Sequence, residues 1–290
     1  MAQPDISIII VNYNTADLLA KCLSSIFKQD VATEIFVVDN NSQDNSIEMV
    51  QKNFGTVKLI TNKINAGFAK ANNQAVRLAT GRYIYFLNPD TEIHGNALEV
   101  MLCFMNDYPQ VGMAGTQLIF PDNSPQSSLE YRYPGQRYAK KDLAGLPGDI
   151  AWLLGASIIA RREVIEQVGG FDEDYFLYGE DLDLSLKIRK KGWSLGYIPE
   201  AEIVHWEGQS ERNSLPIQVW EKKFRAELLF YRKHYSARTI AKIRRANILQ
   251  ALWRILTIRT MLPFQKDTTR AKEKLAKYHL ALKFFSGPLA

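Results

Sequence analysis

The 290-residue sequence has few cysteines and no long apolar run, and each shortage excludes a class of protein. Its two cysteines, Cys22 and Cys103, are far apart and match neither a disulfide framework nor a Cys-based zinc motif. We therefore expect both to be core residues in a reducing compartment. The longest stretch without a charged residue is the 14 residues of 108–121, shorter than the ~20 that a membrane-spanning helix requires.

The N-terminus lacks the features of a signal peptide. Asp5 stands where a basic residue would be expected, and the apolar run of 6–11 is too short for a secretory core. These features predict a cytoplasmic protein. Residues 12–17, after this first apolar run, contain no glycine, so the Gly-x-Gly-x-x-Gly motif of a nicotinamide dehydrogenase is missing and that class is excluded.

Acidic residues are scarce at the C-terminal end of the chain. The net charge of the whole sequence is only +5, yet residues 222–290 carry 17 basic and 3 acidic side chains. Large apolar residues, among them Leu252, Trp253, Leu256 and Phe264, are interleaved with the bases. Such a segment suits an anionic membrane surface, a nucleic acid or an acidic partner chain, and composition leaves these three open.

The first hundred residues alternate short apolar runs with amphipathic stretches, a pattern typical of an open α/β sheet with helices on both faces. Strands are predicted at 6–11, 34–39, 57–60 and 83–87, and helices at about 15–28, 44–53, 66–79 and 96–106. Gly81 is expected to cap the third of these helices.

The rest of the chain has a weaker pattern. Residues 121–147 show no period and are predicted to form a long loop, and short strands are expected near 194–198 and 202–204. The chain from about Pro216 is predicted to be helical throughout. We therefore expect an α/β domain at 1–215 and a basic helical extension at 216–290.

Polar clusters follow three of the predicted strands, at residues 12–15, 39–42 and 88–91. In open α/β sheets, ligands bind outside the carboxyl ends of the strands, so these clusters predict a binding site at one edge. The alternative is that each cluster caps the helix that follows it, because Asn, Asp, Ser and Thr are the preferred capping residues.

Two further groups are candidates for chemistry. The acidic run of 179–184 opens a predicted helix, where its charges either complement the helix dipole or supply a general base, whose pKa the neighbouring Tyr175, Phe176 and Tyr178 would raise. Asp90 offers a hard oxygen ligand for Mg²⁺ or Mn²⁺ bound to a diphosphate. His205 precedes the polar residues 206–210 and is either a ligand or structural.

Seven short motifs occur in order along the chain: Val-Asn-Tyr-Asn (11–14), Val-Val-Asp-Asn-Asn-Ser (37–42), Asn-Ala-Gly-Phe-Ala-Lys-Ala-Asn-Asn (65–73), Leu-Asn-Pro-Asp-Thr (87–91), Gly-Gly-Phe-Asp-Glu (169–173), Gly-Glu-Asp-Leu-Asp-Leu (179–184) and His-Trp-Glu-Gly-Gln-Ser (205–210). Together they resemble the family 2 glycosyltransferases of GT-A fold, and the pattern is most similar to the bacterial rhamnosyltransferase-like branch. The resemblance covers residues 5 to about 212. It implies a Rossmann-like nucleotide-binding half, with a mixed, mainly parallel sheet.

The resemblance also implies roles for individual residues. Asp181 corresponds to the family's general base, with Glu180 beside it, and Asp39 to the aspartate that binds the nucleobase. Asp90 corresponds to the last acid of the Asp-x-Asp metal motif and His205 to a histidine that completes the metal shell in some relatives. The remaining nucleotide-binding residues would be Asn12, Tyr13, Asn14, Asn41, Asn65, Gly67 and Asn88, and the acceptor-binding residues Trp152, Gly155, Ala156 and Tyr178. Asn88 replaces the first acid of the metal motif, which leaves one fewer negative charge.

The activity implied is transfer of a sugar, with inversion, from a nucleotide-sugar donor with Mg²⁺ or Mn²⁺ as cofactor. The expected donor is dTDP-rhamnose, with a UDP-hexose or galactofuranose as the alternative, and the expected acceptor is a glycan or a polyprenyl-diphosphate-linked sugar. The tail would then bind the inner face of the membrane, or a second copy of the chain, and no nucleic acid. A sugar nucleotidyltransferase and a non-catalytic sugar-binding scaffold are the competing hypotheses.

Overall fold

The structure is a computed structural model, and it describes residues 4–206, 208, 215–262 and 268–288. The chain divides into two compact units. One contains the described residues of 1–133 and 146–212, and the other contains those of 134–145 and 213–290. Every residue predicted for the candidate site belongs to the first unit.

A mixed sheet forms the centre of the first unit. Its strands in the described residues are β1 Ile6–Asn12, β2 Thr33–Asp39, β3 Lys58–Thr61, β4 Tyr83–Leu87, β5 Thr91–Ile93, β6 Val111–Ile119, β7 Pro125–Gln126, β10 Ser157–Arg161 and β11 Ser194–His205. The order is β3-β2-β1-β4-β10-β6-β11-β5, with β7 paired to β6. Two short strands, β8 Leu129–Glu130 and β9 Trp152–Leu153, pair separately. This is the mixed, mainly parallel sheet that the resemblance implied.

Helices cover both faces of the sheet. Those of the first unit are α1 Ala16–Ile26, α2 Ser46–Asn53, α3 Phe68–Val76, α4 Ala97–Asp107, α5 Arg162–Val168 and α6 Glu180–Lys190. Alternate residues of β1 enter different apolar clusters, because successive side chains of a strand point to opposite faces. Ile8 packs with residues of α1 and α4, whereas Ile9 packs with residues of α3, α5 and α6.

Strand direction decides where the loops meet. Strands β1, β2, β3 and β4 run parallel, so their carboxyl ends lie at one edge of the sheet. Strand β10 is inserted antiparallel between β4 and β6, which brings the chain that precedes β10 to the same edge. The polar clusters after β1, β2 and β4 are therefore neighbours in space.

Most of the predicted elements are confirmed, but two details are wrong. The two strands expected at 194–204 form the single strand β11, with a register shift between Ile198 and Glu202. Gly81 does not cap α3, which ends at Val76. Instead, the Gly81 amide donates to Ser7 Oγ at 2.8 Å, so tight packing against β1 explains the glycine.

Cys22 is buried as predicted, but Cys103 is exposed and is not a core residue. Its helix α4 buries one side only, with Leu98, Met101 and Met105 facing the sheet. Cys103 lies two residues after Met101, so the helical period turns its thiol away from the core. The position of Cys103 in the helix, and not the apolar character of cysteine, therefore decides that its side chain is exposed.

The predicted long loop of 121–147 is ordered and contains short elements, including β7, β8 and the 3-10 helix Gln136–Tyr138. The buried Arg189 of α6 joins the middle of this loop to its C-terminal end. The guanidinium donates to Pro147 O at 3.0 Å, to Gly148 O at 2.7 Å and to Tyr133 Oη at 3.2 Å. Helix α6, which begins with the acidic run, therefore also holds the C-terminal part of the loop in place.

The second unit consists mainly of helices in its described residues, as predicted for the tail. These are α7 Pro216–His234, α8 Ala237–Met261 and α9 Thr269–Ser286. Their interior is aromatic and includes Phe224, Phe230, Tyr231 and Phe285. Phe264, named above as part of the basic apolar tail, lies outside the described residues. In the part of the chain that the structure describes, no helix is long and apolar enough to cross a membrane.

Candidate active site

The Asp39 carboxylate lies in a rigid polar network at the ends of β1 and β2. Parallel pairing places Asn12 opposite Asp39, and Asn12 Nδ2 donates to Asp39 Oδ1 at 2.9 Å and to Ser42 Oγ at 3.0 Å. The Ser42 amide donates to Asp39 Oδ2 at 2.9 Å. Both carboxylate oxygens therefore have a fixed direction, and each keeps a lone pair that can accept a further hydrogen bond from a ligand.

Three predicted nucleotide-binding residues surround this network. Tyr13 is 40% exposed, so its ring is accessible to a ligand. Asn14 and Asn41 have positive φ angles of 55° and 69°, in the left-handed region that Asn tolerates better than most residues. Asn14 Oδ1 accepts from the Gln43 amide at 2.6 Å, which joins the two loops.

The structure argues against the capping alternative for the first two clusters. Thr15 is the N-cap of α1, but its hydroxyl donates to Asn12 Oδ1 at 2.7 Å instead of accepting from the helix. Asn45, the N-cap of α2, makes no side-chain capping bond. The polar side chains of the two loops thus bond mainly to one another, as expected for a site held in a fixed shape.

Asn65 and Gly67 form the turn before α3. Asn65 Oδ1 accepts from the Gly67 amide at 3.0 Å and from Asn40 Nδ2 at 2.8 Å, which ties the turn to the loop after β2. Gly67 has a φ of 85°, and a Cβ there would lie 2.8 Å from Phe176 O. The same carbonyl accepts from the Phe68 amide at 2.8 Å. Only glycine allows this close approach between the donor-side turn and the segment that leads to α6.

Asp90 and His205, the two predicted metal ligands, are brought together by strand pairing. Antiparallel pairing of β5 and β11 sets His205 opposite Thr91, and His205 Nε2 lies 3.6 Å from Asp90 Oδ1. Both side chains are buried, and His205 Nδ1 lies 2.8 Å from Gln126 Oε1. Among the described residues no group of three or more His, Cys, Asp or Glu side chains forms a metal cluster. Most of the polar run predicted after His205 lies outside the described residues.

A two-residue bridge connects the predicted base to the end of β4. The Gly155 amide donates to Asp181 Oδ2 at 3.0 Å, and the carbonyl of the next residue, Ala156, accepts from the Asn88 amide at 2.9 Å. Asp181 Oδ1 accepts from the Leu182 amide at 2.8 Å. Gly155 and Ala156 therefore hold Asp181 and Asn88 as neighbours, although they are far apart in sequence.

Burial raises the pKa of both acids at the start of α6. Glu180 is only 6% exposed, and its pKa is raised by burial and then by the charge of Asp181. The pKa of Asp181 is raised by burial, against the opposing effect of three backbone N–H donors, those of Leu182, Gly155 and Asp181 itself. Glu180 Oε2 has no hydrogen-bond partner among the described residues. Acids that only complement the dipole of helix α6 do not need to be buried in this way, so this burial favours the general-base hypothesis.

The other acceptor-side candidates occupy the segments that flank these acids. Trp152 is half-buried in β9, where it pairs with Glu130. Tyr178 has a φ of 71° and precedes Gly179, whose φ is 84°. Two consecutive left-handed residues turn the chain sharply into α6. Of the aromatic residues expected to surround the acids, Tyr175 is buried, whereas Phe176 is 55% exposed.

Sequence reasoning missed three residues that organise the site. Ser42 joins the loops after β1 and β2, although its motif gave it no role of its own. Asn73 of α3 pairs with both backbone groups of Phe171, at 2.9 Å to the amide and 2.8 Å to the carbonyl, and so holds the segment before α6. Gln126, beside His205, lies in the aperiodic loop, where no pattern indicated it.

Comparison with known proteins assigns the chain to a class of glycosyltransferases. A family model described as Glycosyl transferase family 2 matches residues 7–169, and the chain belongs to this family. It is similar to the N-acetylglucosaminyl-diphospho-decaprenol L-rhamnosyltransferase of Mycobacterium tuberculosis, with 26% identity over 237 residues that cover 70% of this chain and 76% of the relative.

Two other proteins are similar to this chain, one in sequence and one in fold. The rhamnosyltransferase WbbL of Escherichia coli is 26% identical over 229 residues, which cover 71% of this chain and 85% of WbbL. Among solved structures, the mannosyltransferase PcManGT of Pyrobaculum calidifontis, in complex with GDP-Man and Mn²⁺, superposes with a TM-score of 0.60. Its identity is 19%, and the match covers 97% of this chain and 86% of that one. This likeness shows the fold.

Proposed function

We propose that the protein is an inverting glycosyltransferase that moves L-rhamnose from dTDP-rhamnose to a polyprenyl-diphosphate-linked sugar, in the synthesis of a cell-surface polysaccharide. The observation that carries the proposal is the bridge of Gly155 and Ala156, which holds the Asp181 carboxylate beside the end of β4. The names of the two rhamnosyltransferase relatives support the donor, and the name of the mycobacterial relative supports the acceptor.

Asp39 binds the nucleobase in this proposal. Its oxygens are already directed by Asn12 and Ser42, and each can accept one further hydrogen bond, such as that from the ring N–H of a pyrimidine. Tyr13 offers its exposed ring as a wall for the base. Asn14, Asn41 and Asn65 keep the surrounding loops in place through their side chains and backbone.

Asp90 and His205 hold a divalent cation together with the donor's diphosphate. One carboxylate and one imidazole are few ligands, but Mg²⁺ and Mn²⁺ commonly complete their shells with phosphate oxygens and water. The buried pair therefore fits an ion that arrives with its substrate, and the Mn²⁺ of the mannosyltransferase complex supports the same cofactor. When bound, the ion stabilises negative charge on the leaving diphosphate.

Asp181 takes the proton of the acceptor hydroxyl. Its raised pKa makes the carboxylate a stronger base than an exposed aspartate, and the Gly155 and Leu182 amides fix its orientation. The neighbouring Glu180 has no partner for Oε2 among the described residues, and burial and the charge of Asp181 raise its pKa, so it keeps its proton to a higher pH. A single in-line attack by the deprotonated hydroxyl then inverts the anomeric configuration.

The two parts of the chain have different tasks in this proposal. Residues 1–215 bind both substrates and catalyse transfer. Residues 216–290 bind the cytoplasmic face of the membrane, where a polyprenyl-linked acceptor would lie. Self-association through the tail is the alternative, and the two are distinguished below.

Transfer is tested with purified full-length protein, Mn²⁺ and N-acetylglucosaminyl-diphospho-polyprenol in detergent. We expect release of dTDP from dTDP-rhamnose and a product heavier by one deoxyhexose. Activity with a UDP-hexose or UDP-galactofuranose alone would contradict the donor, while leaving the transferase class intact. Binding of every nucleotide sugar without turnover would support the non-catalytic scaffold instead.

A further inference from the structure

The solvent-exposed face of helix α8 is unusually apolar for a surface helix. Its buried side is formed by Ile240, Ile243, Ala251 and Ile255, which pack within the helical unit, where α8 lies against α9. A surface helix normally carries polar residues opposite such a side. In α8 the opposite side is instead strongly apolar over its second half.

Four large residues make up this apolar stripe: Leu249 is 68% exposed, Leu252 48%, Trp253 62% and Leu256 57%. Their spacing of three, four and seven residues places them on one face of the helix. Isolated exposed apolar side chains are ordinary, but four on consecutive turns form a continuous patch, which marks an interaction site.

Basic residues occupy the same face of α8 closer to its N-terminus. Arg238, Lys242 and Arg245 are exposed and precede Leu249 by eleven, seven and four residues, so they lie in line with the stripe. The face from Arg238 to Leu256 is about 27 Å long at 1.5 Å per residue. No Asp or Glu occurs anywhere between residues 237 and 261.

We infer that this face of α8 docks on an anionic lipid bilayer, with the helix lying parallel to the surface. This face has the composition of an interfacial helix, because one half is basic and the other carries a stripe of Leu and Trp. The bases contact the lipid headgroups, and Trp253 and the leucines enter the boundary of the acyl chains. Because the helix contains no acid, a second copy of the same face would offer the bases no carboxylate, and a nucleic acid would leave the stripe in water.

The inference deepens the proposed function, since it identifies the surface that reaches a lipid-linked acceptor. Binding to vesicles requires neither donor nor catalysis, so the two proposals can fail separately. We test the full-length protein by co-sedimentation with phosphatidylcholine vesicles and with vesicles of equal parts phosphatidylcholine and phosphatidylglycerol.

Leu256→Glu is the principal variant, and Leu78→Glu is its matched control. Leu78 is 56% exposed, close to the value for Leu256, but lies in the catalytic unit just after α3. At low ionic strength we expect Leu256→Glu to weaken partitioning into anionic vesicles by roughly tenfold or more, because it removes an apolar anchor and adds a negative charge. Leu78→Glu should partition like the parent protein. Binding of dTDP checks the fold of the catalytic unit in both variants, and the far-UV circular dichroism of the helices checks the fold of the unit that carries α8.

The bases are tested by Arg238→Gln, Lys242→Gln and Arg245→Gln, each of which should weaken partitioning by about fivefold, an effect that salt removes. Quenching of tryptophan fluorescence by lipids with brominated acyl chains tests how deeply Trp253 enters the bilayer. The parent protein should be quenched in anionic vesicles, and Trp253→Phe should lose most of this quenching although the other four tryptophans remain.

Three results would overturn the inference. The first is that the parent protein ignores anionic vesicles at low ionic strength. The second is equal partitioning of Leu256→Glu and Leu78→Glu, which would mean that the stripe plays no part. The third is dissociation of a dimer by Leu256→Glu with unchanged vesicle binding, which would assign the face to a second copy of the chain.

Discussion

Replacing Glu180 by Gln should stabilise the catalytic unit at high pH. Glu180 is 6% exposed, one carboxylate oxygen has no partner among the described residues, and its pKa is raised to about 8 from the usual 4.5. Burial is the larger cause and the charge of Asp181 the smaller. Gln keeps the shape of the side chain but cannot ionise.

The size of the effect follows from linkage. Below pH 4.5 both the native and the unfolded states hold the proton, so the raised pKa has no cost. Between pH 4.5 and 8 the unfolded state releases the proton more readily, and stability falls by up to about 1.4 kcal/mol per pH unit. The ceiling at pH 7 is about 3 kcal/mol, and since the Gln amide also has few partners we expect a gain of about 1–3 kcal/mol.

Urea denaturation followed by tryptophan fluorescence measures this gain at several pH values. Because the chain has two compact units, the transition that shifts with added dTDP identifies the catalytic one. We expect the difference between Glu180→Gln and the parent protein to vanish near pH 4 and to grow toward pH 8. A difference that is independent of pH would refute the assignment of a buried, protonated Glu180.

Glu34→Gln is the control of opposite sign. Burial alone would raise the pKa of Glu34, but hydrogen bonds from Lys58, Ser7 and Thr80 outweigh burial and lower the pKa to about 2. The carboxylate therefore stabilises the native state above pH 4.5, and this contribution is lost as the pH falls toward 2. Because Lys58 is half exposed, we expect Glu34→Gln to cost only about 1–2 kcal/mol at pH 7.

Two further predictions separate the parts of the donor site. Asp39→Ala should weaken dTDP binding about tenfold to a hundredfold with or without Mn²⁺, whereas Asp90→Ala, and more weakly His205→Ala, should weaken it mainly when Mn²⁺ is present. Calorimetric titrations decide between these patterns, and equal losses in all conditions would contradict the division of roles. Gly67→Ala should cost about 2–4 kcal/mol in urea denaturation, because it adds strain and a contact with Phe176 O, while Gly192→Ala, with a similar φ and open space, should cost about 1 kcal/mol. Similar losses for the two glycines would show that the contact is unimportant.

The ends of the predicted strands are the most informative part of the sequence. Strands β1, β2 and β4 are recognisable from their β-branched and aromatic runs, and parallel pairing then requires the loops after them to meet. This reasoning suffices to predict Asp39 and Asp90 at one edge of the sheet. The distinction between a ligand site and helix caps required the hydrogen bonds themselves, such as the one from Thr15 to Asn12.

Contacts between distant segments could not be derived from local pattern. The bridge from Gly155 to Asp181 depends on the antiparallel insertion of β10, and a run such as 157–161 does not reveal its own direction in a sheet. The contact of His205 with Gln126 depends likewise on β7, which lies in the aperiodic loop, and on β11, whose neighbours in the sheet the sequence pattern does not reveal. Periodicity reports which face is buried, not which segment covers it.

The central claim, that Asp181 is the base of a sugar-transfer site, is tested most directly by Asp181→Asn. The amide matches the carboxylate in size but cannot take a proton. We expect dTDP affinity within twofold of the parent protein and transfer slowed by a factor of about 10²–10⁴ at saturating acceptor, since general bases contribute that much. Asp107→Asn, at an exposed position of α4, should change neither quantity. Transfer at the parent rate by Asp181→Asn would contradict the account.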